Sequence, residues 1–65
     1  MLNSIPLTEN GTLVAVAARG EDGWFLIALD ARLEELDRQG FPDARAAERA
    51  ARSRLARRAP PPRDA

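Results

Sequence analysis

Carboxylates and arginines are the side chains here that could do chemistry. The 65 residues hold ten Asp and Glu and ten Arg, with no His, Cys, Lys or Tyr. General acid–base catalysis draws most often on His, with Lys, Tyr and Cys as substitutes. Ser4, Ser53, Thr8 and Thr12 supply hydroxyls, but the chain has no His or Lys to activate them as nucleophiles. Glu34 or Glu35 with Asp37 would make a carboxylate pair. Such a pair works in a cleft that separates two pKa values, and a chain this short has little room for one. A solvated acidic face is the simpler account. Transition metals prefer His and Cys ligands, and Glu21-Asp22 falls short of the oxygen count of a calcium loop. Gly20 and Gly23 bracket a turn and do not make a phosphate cradle. The residues therefore point to a non-enzymatic chain with no catalytic residue, no cofactor and no metal.

Charge is unevenly distributed. Residues 1–44 carry eight acids against three Arg, a balance of −5, and residues 45–65 carry seven Arg against two acids, a balance of +5. Local potential of this kind matters more to a partner than the net charge of zero. Arg45, Arg49 and Arg52 share one side of a helical wheel and could contact phosphates. Their simpler role is a solvated face with a Glu48–Arg52 pair at i,i+4 spacing. Nucleic acid is thus the alternative partner, because the chain lacks a net basic surface and its acidic front half would repel phosphates. The acidic cluster Asp30, Glu34, Glu35 and Asp37 is a candidate contact for another protein, filling a site meant for nucleic acid.

The elements that must position these groups follow from patterning. Residues 3–8 hold Ile5 and Leu7 around Pro6, which cannot donate a ladder hydrogen bond and fits only an edge strand. Asn10-Gly11 then separates two apolar runs, a strong hairpin signal because both residues tolerate positive φ. Residues 12–19 and 23–30 read as strands of a second hairpin, closed by Gly20-Glu21-Asp22-Gly23. Within it Phe25, Ile27 and Leu29 alternate with Trp24, Leu26 and Ala28, so both faces of the ribbon are apolar. Asp43 can cap a helix over 43–58, with Ala44, Ala47, Ala51 and Leu55 on its buried stripe. Pro60-Pro61-Pro62 ends that helix and leaves 59–65 as a disordered tail. Residues 31–39 pattern locally as a short helix, capped by Asp30 and stopped by a left-handed Gly40. The whole is an α+β fold: a small antiparallel β-meander on one C-terminal α-helix, in a single domain over 1–58.

One helix covers one face of such a sheet. Trp24 and Leu26 are then either core or an exposed strip that binds another chain, and aromatic anchors are enriched at such interfaces. Trp24, Leu26 and the acidic cluster are the expected partner-binding residues.

From Asp22 onward the order is Asp22-Gly23-Trp24, an apolar strand, Asp30, a polar stretch, Gln39-Gly40 and an Ala-rich helix. Over about 30 residues this resembles the small βββα modules of HicB-type antitoxins. Phe41-Pro42 stands where that family prefers Asp-Thr, and Leu29 where it has Pro. The resemblance implies a further strand over 33–39 and a role as a protein-binding, often dimeric, regulator.

The apolar runs at 13–18 and 24–29 are far shorter than the roughly 20 residues of a spanning helix, and the start lacks the pattern of a secretory signal. A cytoplasmic protein with no membrane partner is expected. Its expected function is to bind another protein as a regulator or inhibitor. It would be antitoxin-like, or encoded by a phage or mobile element against a host nuclease system, as an anti-CRISPR is. A homodimer, formed through the edge strand or the Trp24 face, is a further expectation.

Overall fold

The computed structural model describes residues 3–57. They form β1 (Ser4–Glu9), β2 (Thr12–Gly20), β3 (Gly23–Ala28), a 3-10 helix (Ala31–Leu36), β4 (Gly40–Phe41) and α1 (Ala44–Arg57). The strands pair antiparallel in the order β1-β2-β3-β4, an up-and-down meander packed against α1. This is the α+β arrangement that the patterning predicts. Arg58 and the tail assigned to 59–65 lie outside the described residues.

The turns have local causes. Asn10 and Gly11 both take positive φ, 52° and 82°, which suits a two-residue hairpin whose twist matches its strands. At the second hairpin the positive φ falls on Gly23, at 116°. A bulge follows Leu7: Leu7 pairs with Ala15 but Thr8 pairs with Leu13, so Val14 is the extra residue. Val14 turns inward and is 1% exposed, while Leu13 stays outside at 44%.

Register defines two faces. The rows Leu7–Ala15–Ala28 and Ile5–Ala17–Leu26 lie on one face, and Trp24 and Phe41 continue it. Helix α1 covers this face with Ala47, Ala51 and Leu55, and Leu33 and Leu36 of the 3-10 helix close its side. Ala15, Ala17, Leu26, Leu33 and Ala47 have no exposed surface. The small residues on both elements let the helix lie close to the sheet.

Residues 33–39 are not a strand. Leu33 and Leu36 sit three apart and both are buried, as a helix of three residues per turn allows. The Asp30 side chain caps that helix by accepting from Arg32 N. The fourth strand is the two-residue Gly40–Phe41. Gly40 is not the left-handed stop either; that conformation falls on Arg38, with φ 68°. Asp43 does cap α1: its Oδ1 accepts from Ala46 N at 2.7 Å.

Candidate functional site

Sheet edges are the first surfaces to consider, because unpaired backbone groups invite a further strand. Arg19 N donates to Asn3 O at 2.8 Å, so Asn3 points toward β2. By alternation Ile5 and Leu7 also bond inward, and Ser4, Pro6 and Thr8 present their backbone to the outer edge. Pro6 has no N–H to offer there. The Thr8 carbonyl accepts from Arg52 Nη1 at 3.1 Å, a tether from α1 across the edge. On the opposite side, β4 pairs only with Trp24 and Phe25. Past it, Leu26 N donates to Gln39 O at 3.2 Å and Arg38 N donates to Leu26 O at 2.6 Å. Ala28 N donates to Asp37 Oδ1 at 2.8 Å. Past β4 the β3 edge is thus closed by the chain's own groups, and on β1 Pro6 and the Arg52 tether interrupt the edge.

The sheet face away from α1 is different. Its rows are Pro6–Val16–Ile27 and Ser4–Ala18–Phe25–Gly40, with Thr8 and Leu13 paired beyond the bulge. None of these residues is charged. Leu29, just past β3, is 56% exposed and Leu13 is 44% exposed, both at the same end of the ribbon. The Phe25 ring lies over Gly20, close enough that a Cβ there would sit 3.2 Å from Cε1. Val16, Ala18, Phe25 and Ile27 are half-buried by their neighbours alone, since α1 packs on the other side. An apolar strip thus runs across three strands, and among the described residues no second layer lies over it.

Trp24 and Leu26 were expected to form that strip, and they do not. Leu26 is 0% exposed beneath α1, and half-buried Trp24 packs at the rim of the same core beside Phe41. Alternation along β3 was read correctly, but the face left open is the other one. The sequence does contain a signal for this. The Ala stripe of α1 fits the Ala15 and Ala17 face of β2, where short side chains on both elements let them approach closely.

Three acids of the cluster, Asp30, Glu35 and Asp37, bond within the chain at its surface. Arg32 donates Nε to Asp30 Oδ1 at 3.0 Å and Nη2 to Asp30 Oδ2 at 2.9 Å, and the same Nη2 reaches Glu9 Oε1 at 2.6 Å. Asp30 also accepts from Arg32 N at 2.8 Å. The Arg32 side chain and then its backbone N–H hold the Asp30 carboxyl at a pKa of about 2, while Asp30 and then Glu9 raise the Arg32 guanidinium. This triad ties the start of the 3-10 helix to the end of β1. Glu35 pairs with Arg54 of α1. Asp37 caps the β3 edge as described above, and Glu34 is exposed. The four acids are not gathered into one free surface.

Of the arginines expected on the outer helix face, Arg52 bonds Glu48 at 3.2 Å as well as the Thr8 carbonyl. Arg45 and Arg49 are exposed. An open depression of about 590 Å3 lies at the β2–β3 turn, lined by Trp24, Phe25, Glu21, Asp22 and Arg38 among others. It holds carboxylates and a guanidinium but no hydroxyl, thiol, imidazole or amine side chain. Among the described residues, no group of three or more acidic side chains is placed to hold a metal, and no helix is long and apolar enough to cross a membrane. Comparison with known proteins adds no identity: no family model matches the chain, and neither a curated protein nor a solved structure matches significantly.

Proposed function

We propose that this chain is a non-enzymatic module that binds another protein through the open face of its sheet. The observation that carries this reading is an uncharged apolar strip, centred on Val16 and Ile27, on the sheet face away from α1. Ile27 and Phe25 are already partly buried by the sheet, so covering each would contribute a fraction of the roughly 1.5–3 kcal/mol of full burial, and the strip acts through several residues together. The available side-chain chemistry fits recognition better than catalysis. A regulator or inhibitor follows, of the kind in which a small antitoxin-like chain neutralises a larger protein. An inhibitor of a host nuclease system carried by a phage or mobile element has the same requirements. An apolar sheet face is favoured over acidic mimicry of nucleic acid because Asp30 and Glu35 are paired with Arg32 and Arg54 and Asp37 with a backbone N–H, so the acids do not form one free anionic surface.

The test is retrieval of partners from the native host by tagged wild type and by Ile27→Arg, with circular dichroism verifying that both are folded. Wild type should retain a protein that the variant loses. Equal retrieval by both would contradict this reading.

A second reading rests on Arg45 and Arg49, which stay exposed one turn apart on α1. They could contact two neighbouring phosphates. With so few contacts, the log of any affinity for duplex DNA would fall with log salt at a slope of only about −2. Binding unchanged in an Arg45→Ala, Arg49→Ala double variant would remove this alternative.

A further inference from the structure

We infer that, in the absence of another partner, the open face is covered by a second copy of this chain, stacked sheet on sheet about a two-fold axis. The inference rests on the protein-binding reading above and names an occupant for the same face. Four observations support it. The paired positions of the face include no charged residue, so an identical face is as complementary to it as any other. Net charge is zero, so little repulsion keeps copies apart. Asp37 and Gln39 bonded along β3, and Pro6 outward with Arg52 on Thr8 O along β1, disfavour edge pairing and leave face stacking as the better contact between copies.

Area is the fourth. Three strands about 4.8 Å apart and about six residues long span roughly 300 Å2 in plan. Side-chain relief brings the accessible surface to roughly 400–500 Å2 per copy, as large as a typical monomer's largest apolar patch. Two copies would bury roughly 800–1,000 Å2, below the range of about 1,200–2,000 Å2 for stable interfaces and within that of weak, transient ones. Two such sheets pack about 10 Å apart with their strands within about 30° of alignment, leaving each α1 on the outside. Val16 and Ile27 are cross-strand partners at the middle of the strip, so they would lie nearest the axis and meet their own copies. An interface this small gives a weak dimer, with Kd on the order of 10 µM to 1 mM. A tighter partner would displace it, so self-association would set a threshold for engagement.

Sedimentation equilibrium over a concentration series, from micromolar to millimolar, tests this. Wild type should pass from monomer toward dimer and stop there. Ile27→Arg should weaken association at least about tenfold, the effect of a desolvated charge at the centre. Val16→Arg is a second variant for the same purpose, and thermal melts show whether each is folded. Arg45→Glu, on the far side of the molecule, should associate like wild type. A wild type that is monomeric throughout would overturn the inference. So would a dimer that survives both central substitutions in folded protein. If the chain stays monomeric while host-protein retrieval still depends on Ile27, the second copy is wrong and the protein-binding reading stands. If the dimer forms as described but no host protein depends on Ile27, this inference holds and the wider reading fails.

Discussion

The two faces of the sheet are both apolar but have opposite fates. Beneath α1 lie Ala15, Ala17, Leu26 and Ala28; away from it lie Val16, Ala18, Phe25 and Ile27. At these eight positions side-chain bulk is greater on the open face. The helix settled on the side where short residues allow close approach, because its own stripe is Ala47, Ala51 and Leu55. Fit between two small-residue surfaces, rather than total hydrophobicity, decides which side of a doubly apolar ribbon becomes the inside. The side left over is the one available to a partner.

Substitutions on alternate residues of β3 should separate the faces most sharply. Leu26→Ala removes a fully buried side chain and should cost about 2–5 kcal/mol. A domain this small has little more than that in reserve, so urea or thermal unfolding should find it largely unfolded at room temperature. Ile27→Ala, one residue along, should stay within about 1 kcal/mol of wild type in dilute protein. Equal losses would erase the distinction. Next in size is Ala51→Leu, which forces bulk between α1 and the sheet and should cost about 1–3 kcal/mol. The open face tolerates bulk, so Ala18→Leu should be close to neutral by the same melts. Asp37→Ala removes the acceptor for Ala28 N and should cost about 1 kcal/mol. Exchange of the Ala28 amide should then quicken more than that of Ala17 in mid-sheet.

The smallest effect is pH-dependent. The Asp30 carboxyl has its pKa lowered to about 2 by Arg32. A lowered carboxylate pKa contributes stability above the ordinary value near 4, and that contribution is lost as pH falls toward 2. Acid unfolding of wild type should therefore be steeper across this window than that of Asp30→Asn. Identical slopes would show that the triad with Arg32 and Glu9 adds nothing.

Elements with strong local signals were legible in the sequence. Asn10-Gly11, the Gly-bracketed turn, the Asp30 and Asp43 caps and the Ala stripe of α1 each depend on residues within a few positions. What was less legible depended on distant neighbours. No local rule says that Asp37 will reach Ala28 N, nine residues back, and so replace a strand along β3. The expectation of strand over 33–39 failed for that reason: capping groups at Asp37, Arg38 and Gln39 satisfy the edge that a full strand would have paired. Likewise, period-2 alternation gave the two faces but not their assignment, which required the bulk of α1 to be compared with that of β2. For the acids, charge counting showed eight carboxylates in the front half but not that Asp30, Glu35 and Asp37 would bond internally.

Methyl and amide NMR across a dilution series tests the assignment of faces most directly. With increasing concentration, or on adding a retrieved partner, signals of Leu13, Val16, Phe25, Ile27 and Leu29 should move while Leu26, Leu33 and Leu55 stay fixed. Shifts confined to α1 or to the Trp24–Phe41 rim, with Val16 and Ile27 unmoved, would contradict it.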